Sequence, residues 1–127
     1  MRLDARFIPH DSIKYYLCSA DIYLLNYART SASTSGNACL ALTYGVPSIT
    51  SRAHLLGEMT EDVCLKVDIN APDQVEQALV RLLTEPDLPG TLRAGALEMA
   101  QARTWDKIAA LHLQVYDKMV AGHSKSQ

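Results

Sequence analysis

The fold is decided by a stretch that begins with one apolar run, Ile22-Tyr23-Leu24-Leu25, and ends with another, Ala38-Cys39-Leu40-Ala41-Leu42. The first run is too short for a helix and rich in strand formers, so it predicts a strand covered on both faces. The second predicts a compact helix that Gly45 and Pro47 stop. Residues 26–37 between them are dominated by Ser, Thr, Ala and Gly, without a hydrophobic period. A strand, a small-residue loop and a helix in this order indicate one unit of an α/β fold.

The residues before this unit predict a further strand and helix. Residues 3–8 alternate in part and end at Pro9, which is typical of a strand that runs into a turn. A helix is expected to follow, with Asp11 or Ser12 as its cap. Apolar residues at helical spacing predict one buried face on this helix: Ile13, Tyr16, Leu17 and Ala20.

The residues after the central helix predict two strands and two helices before the last segment. The strands are expected at residues 46–49 and 63–67. The first helix begins at Pro72 and ends before Pro86. The second spans about residues 88–103 and is expected to be broken or loosened by Pro89 and Gly90.

The last helix has the clearest hydrophobic period in the chain. Thr104 is its expected N-cap. Its apolar residues form a stripe at spacings of three and four, which predicts a buried face: Trp105, Ile108, Ala109, His112, Val115, Tyr116 and Met119. Residues 122–127 are expected to form a flexible tail.

Strands that alternate with helices predict a mostly parallel sheet with flanking helices and a helical carboxyl-terminal third, so the fold class is α/β. Ligands of such sheets bind at the carboxyl ends of the strands, in the loops that lead into helices. The loop after residues 22–25 is the one with a suitable composition.

This loop predicts an anion site at the start of the central helix. The amino terminus of a helix has unpaired N–H groups and about half a positive charge. Small residues let a phosphate approach these groups, and hydroxyls can donate as well. The candidate ligand-binding residues are Ser33, Thr34, Ser35, Gly36 and Asn37, with Arg29 upstream as a mobile countercharge.

Gly36 is the most important of these residues, because it has no Cβ to hold an anion away from the backbone. The alternative is that the Ser and Thr residues only cap the helix, while Gly36 serves close packing. The loop has neither the G-K-[ST] of a Walker motif nor the G-x-G-x-x-G order.

Glu58 is a further candidate, because its carboxylate could accept hydrogen bonds from ligand hydroxyls. It follows Gly57 and is expected near a helix start, where the helix dipole would also stabilise a carboxylate without any ligand.

Composition excludes several functions. A net charge of −2 gives no basic face for nucleic acid, and no apolar run approaches the roughly 20 residues that span a bilayer. The amino terminus lacks the apolar core of a signal peptide. Cys18, Cys39 and Cys64 are odd in number and widely spaced, so we expect packed free thiols, no metal site and a reducing, cytoplasmic setting.

In their order, these features resemble the second half of GT-B glycosyltransferases, specifically the family 4 group. The resemblance covers nearly the whole chain, and it is carried by residues 7–13, 16–25, 35–38, 41–51, 57–59 and 104–108, together with Tyr116.

The resemblance implies that residues 1–121 are the carboxyl-terminal, nucleotide-sugar-binding part of such an enzyme, an incomplete Rossmann-like domain. In that family the diphosphate of the donor lies against the helix start that Ser35, Gly36 and Asn37 occupy here. The reaction transfers a sugar to an acceptor hydroxyl, usually without a metal, and the nucleotide-diphosphate sugar is a substrate, so no cofactor is expected. The resemblance assigns no catalytic residue.

Two departures from the family limit this expectation. Ala32 and Leu40 stand where the family often has two glutamates, so no side chain of this helix is expected to bind the ribose. The family's amino-terminal domain and one strand are also missing, so we expect a partner domain or chain, an inactive isolated polypeptide and possible homo-oligomers through an open sheet edge. The alternatives are a nucleotide-sugar-binding subunit that acts with a partner chain, and a non-catalytic α/β module.

Overall fold

The structure is a computed structural model that describes residues 5–27, 35–52, 57–68 and 70–123. Helices and strands follow one another in the predicted order. They are α1 (His10–Cys18), β1 (Tyr23–Leu25), α2 (Gly36–Tyr44), β2 (Ser48–Ser51), β3 (Cys64–Val67), α3 (Pro72–Thr84), α4 (Leu88–Ala102) and α5 (Trp105–His123).

The described strands form one parallel sheet in the order β1-β2-β3. Ile49 in the central strand lies between Leu24 of β1 and Leu65 of β3. Every residue of β2 is buried, because this strand has a neighbour on each side and helices above and below. The α/β fold with a helical carboxyl-terminal part is therefore confirmed.

Helices cover both faces of the sheet. One core cluster joins β1 and β3 to α2 and α4, and its members are Leu25, Ala38, Ala41, Leu42, Met59, Val63, Cys64 and Ala96. The second lies on the other face, against α3 and α4, and contains Ile49, Val67, Ala78, Leu82 and Leu92. Since α4 contributes Leu92 to one cluster and Ala96 to the other, it ties the two layers together.

Two glycines allow this close packing. Gly45 ends α2 in the left-handed conformation, with φ of 60°, and a side chain there would press against Leu97 of α4. A Cβ on Gly95 would overlap the carbonyl of Asp62, just before β3. Helix α4 itself is continuous, contrary to the expected loosening, because Pro89 lies in its first turn, where the missing N–H would have no helical partner.

The prediction of a strand at residues 3–8 is wrong for residues 5–8, which form no strand, and residues 3 and 4 lie outside the described residues. Helix α1 begins at His10 without a side-chain cap, so Asp11 lies inside the first turn and does not cap it. Leu17 is buried on the expected face, whereas Tyr16 is exposed.

Strand β1 is covered less than its composition predicts. Leu25 is buried, but Leu24 is 50% exposed. Leu24 and Leu25 point to opposite faces of the sheet. Helix α2 packs against β1 on the side of Leu25, whereas α3, on the side of Leu24, packs against β2 and β3.

The prediction of a buried stripe on α5 is wrong. Trp105 is 88% exposed, and Tyr116 and Met119 are more than half exposed. The helix begins where expected, directly after Thr104, whose carbonyl accepts the N–H of Ile108. The stripe therefore has the right spacing for burial, but no described element packs along its length.

The expected carboxyl-terminal tail and the cysteines differ in part from the prediction. Residues 122 and 123 of the expected tail belong to α5, and residues 124–127 lie outside the described residues. Cys64 is packed as expected, but Cys18 and Cys39 are exposed. In the described part of the chain, no helix is both long and apolar enough to cross a membrane.

Candidate functional site

The site begins at Ser35, the N-cap of α2. Its backbone is extended, with φ of −128° and ψ of 114°, and its side-chain oxygen accepts a hydrogen bond of 3.1 Å from the N–H of Ala38. This satisfies one of the free N–H groups of the first turn. Ser35 is 6% exposed, so its position is set by packing as well as by the cap.

A second set of contacts joins this cap to the sheet. The N–H of Tyr27 donates to Oγ of Ser51 over 3.1 Å, and the same hydroxyl donates back to the carbonyl of Tyr27 over 2.8 Å. A serine side chain thus continues the pairing of β1 with β2 beyond the end of β1. Ser51 is buried, so this link is shielded from competing water.

The tyrosine side chain then reaches α2. The hydroxyl of Tyr27 lies 2.9 Å from Oγ of Ser35 and accepts a hydrogen bond of 3.3 Å from the side-chain amide of Asn37. We call Tyr27, Ser35, Asn37 and Ser51 the Tyr27 network. It fixes the first turn of α2 relative to the carboxyl ends of β1 and β2, the edge at which parallel sheets bind ligands.

The network gives Ser35 a positioning role, because its hydroxyl is bonded to two groups of the protein, the hydroxyl of Tyr27 and the N–H of Ala38. The backbone N–H groups of Gly36 and Asn37 have no hydrogen-bond partner among the described residues. These two groups are the donors that the helix start offers to an anion.

Among the described residues, neither packing nor backbone conformation requires a glycine at position 36. A Cβ placed on it meets no described atom within 4 Å, and its φ is not positive. The contacts of the described residues therefore give no support to close packing as the reason for this glycine. The missing side chain leaves these two N–H groups uncovered by any side chain of Gly36 itself.

Three predicted site residues, Arg29, Ser33 and Thr34, lie outside the described residues. Their part in the anion site stays a prediction. Ser35, Gly36 and Asn37 are together at the start of α2, as the sequence predicts.

Glu58 lies elsewhere. It belongs to a turn and not to a helix start, and its carboxylate pairs with Nη1 of Arg103 at 2.5 Å, beyond the end of α4. Its side chain is 80% exposed, and no hydrogen bond joins it to residues 35–37 in the described structure. Its described contact is therefore with another element, where it ties the turn before β3 to the end of α4.

Tyr27 and Ser51 are the members of the site that sequence reasoning missed. Tyr27 is the aromatic residue in an otherwise small, polar loop, and Ser51 is a polar residue at the end of a strand. Each of them differs from its neighbours in the sequence. They meet only through the pairing of β1 with β2, which the local sequence does not predict.

Among the described groups near the site, Tyr23 has a shifted pKa. Burial raises the pKa of the Tyr23 hydroxyl, and the nearby Tyr27 raises it further, so Tyr23 stays neutral at physiological pH. No group of three or more His, Cys, Asp or Glu residues within the described ranges is placed to hold a metal ion.

Two clefts lie away from residues 35–37. One of about 560 Å³ runs between β3 and α3, beside Lys66, Gln74 and Arg81. The other, of about 680 Å³, lies between α2, α4 and the start of α5 and is mainly apolar, with Leu97 and Trp105 in its walls. Neither is lined by Ser35, Gly36 or Asn37.

No family of known proteins matches the chain, and no curated protein matches it significantly.

Proposed function

We propose that this chain is the donor-binding portion of a glycosyltransferase and holds the diphosphate of a nucleotide sugar at the start of α2. The observation that supports this most is Gly36. No described contact or backbone angle requires this glycine, and it lies beside two N–H groups that have no partner among the described residues, at the carboxyl edge of a parallel sheet.

The chemistry of sugar transfer suits such a site. The bond between the anomeric carbon and the donor phosphate breaks, and negative charge grows on the leaving diphosphate. Aligned N–H groups and the helix dipole stabilise this charge most when they are already in place. The Tyr27 network supplies that preorganisation, since it holds the first turn of α2 against a buried part of the sheet.

The nucleotide sugar, as distinct from another phosphate compound, is supported by the ordered resemblance to family 4 glycosyltransferases. In this proposal, the acceptor and the group that takes its proton belong to another domain or chain. The chain alone is expected to bind the donor and to transfer nothing.

Binding of UDP, GDP and ADP to the whole chain tests the proposal by NMR and calorimetry. We expect at least one of them to bind and to shift the amide signals of Gly36 and Asn37. Gly36→Val should lower the affinity by about tenfold or more, because a branched side chain blocks the two N–H groups.

Gly90→Val is the matched control, because a Cβ at Gly90 in α4 also meets no described atom within 4 Å. Both variants should keep the wild-type circular dichroism spectrum. A folded chain that binds none of the three diphosphates, or a Gly90→Val variant that loses as much affinity as Gly36→Val, would overturn the proposal.

A further inference from the structure

One side of α5 is both apolar and exposed. We use the name α5 stripe for Trp105, Ile108, Ala109, His112, Val115, Tyr116 and Met119. Leu111, Leu113 and Val120 flank it and are also exposed. At 3.6 residues per turn, the Asp and Lys residues of α5 all lie on the opposite side: Asp106, Lys107, Asp117 and Lys118.

A helix of this kind needs a partner surface. Isolated helices gain little stability in water, and most helical stability in proteins comes from packing of an apolar face. The 19 residues of α5 are all helical, yet no described element packs along the stripe, and Ile108 near the start of the helix is the stripe residue that is half-buried. A contiguous apolar surface of this size marks an interaction site.

We propose that the α5 stripe pairs with the α5 stripe of a second copy of this chain, in an antiparallel arrangement. The stripe has the same spacing from either end, namely 3, 1, 3, 3, 1 and 3 residues, with His112 in the middle. A two-fold axis near His112 therefore places Trp105 of each copy opposite Met119 of the other.

The apolar cleft at the base of α5 favours this orientation. It has a volume of about 680 Å³ and is bounded by Leu97, Ala100, Trp105 and Ile108. Antiparallel pairing brings Met119 of the second copy to the mouth of this cleft. Methionine is flexible and fills irregular apolar spaces well. Two clefts would be filled at once by the symmetry of the dimer.

Charge and area are compatible with self-pairing. The two Asp and two Lys residues of α5 cancel and lie away from the stripe, and the chain carries a net charge of only −2. A fully buried aromatic residue removes roughly 150–250 Å² from water. Trp105, which is 88% exposed, can contribute most of that area, and Tyr116, which is 56% exposed, about half of it. With the remaining stripe residues of both copies, the interface approaches the roughly 1,200 Å² at the lower end of stable protein interfaces.

Oligomeric state and tryptophan emission test this proposal on the full chain. Sedimentation should show a dimer that dissociates on dilution. Trp105 is the only tryptophan of the chain, so its emission should shift to longer wavelength as the dimer separates. Val115→Glu and Met119→Glu should each weaken the dimer by about tenfold or more.

Gln114→Glu is the matched control, because it adds the same charge to the same helix on the side opposite the stripe. It should leave the dimer unchanged. A chain that is monomeric at every concentration, with constant emission, would overturn the proposal and leave the stripe to a different domain or protein. So would a dimer that ignores the stripe variants, as expected for pairing through a sheet edge.

A mixing experiment tests the orientation. One chain carries Trp105→Phe, Cys18→Ser, Cys39→Ser and Met119→Cys with a nitroxide on the new thiol, and the other is unmodified. Antiparallel pairing should quench the remaining Trp105, because the label lies beside it. Parallel pairing would leave the label about 21 Å away along the helix and Trp105 unquenched, which contradicts the proposed arrangement.

Discussion

Helices α2 and α5 were both predicted from their apolar residues, yet they differ in how far those residues are buried. Ala38, Ala41 and Leu42 of the short α2 are buried in the core. The much longer α5 has the more regular stripe and leaves it exposed. Hydrophobic spacing therefore identifies the side of a helix that seeks a partner, but only the arrangement of the whole molecule shows whether that partner is present.

The largest expected effect separates the two helices directly. Leu42→Ala in α2 should lower the free energy of unfolding by about 2–5 kcal/mol, because it leaves a cavity in the core. Leu113→Ala, at an exposed position of α5, should change it by less than about 0.5 kcal/mol. Urea unfolding at low protein concentration measures both, and equal losses would contradict the difference described here.

A second substitution tests the packing of α4, which contacts α2. Gly95→Ala in α4 should cost about 1–3 kcal/mol of unfolding free energy, because its Cβ would overlap the Asp62 carbonyl. Gly90→Ala, in the same helix but facing open space, should be neutral or slightly stabilising. Thermal unfolding compares the pair, and a neutral Gly95→Ala would show that α4 packs less closely than described.

A smaller effect is expected at the start of α2. Ser35→Ala removes the cap of the Ala38 N–H and a partner of Tyr27, and it should cost about 1 kcal/mol. Thr104→Ala is a useful comparison, since Thr104 precedes α5 and no side-chain bond from it to the helix is present among the described contacts. Denaturant unfolding of both variants should show the larger loss for Ser35→Ala.

The smallest effect concerns pH. Burial raises the pKa of the Cys64 thiol, although its hydrogen bond with Thr50 and nearby Lys66 oppose this. A thiol with a raised folded pKa contributes its full stability below the ordinary value of about 8.5 and loses it as pH rises through the folded pKa. The free energy of unfolding should therefore decline as the pH rises above about 8.5, and it should decline less in Cys64→Ala. An identical decline in both proteins would assign the effect to other groups.

Much of the fold could be predicted because its signals are local. A strand-forming run predicts β1, and Gly45 with Pro47 predicts the end of α2. The alternation at residues 63–67 predicts β3. The errors concern contacts between distant parts of the chain. Local spacing cannot show that Leu24 lies on an edge strand, or that nothing described covers Trp105.

The candidate site shows the same division. Ser35, Gly36 and Asn37 could be predicted, because a helix start with small residues is a local pattern. Ser51 could not, because it lies 24 residues from Tyr27 and meets it only through the register of β1 and β2. The sequence thus predicts where the helix and its dipole begin. The position of that helix start relative to the strands depends on the register of the sheet.

The hydrogen bond between Tyr27 and Ser35 has a consequence for how this site can change. It joins Tyr27, which Ser51 ties to the sheet, to Ser35, the N-cap of α2, across 2.9 Å. Doubling the length of a loop between fixed ends costs only about 0.6 kcal/mol. We therefore expect that the chain between these two anchors can be changed or lengthened at small cost while the start of α2 keeps its place.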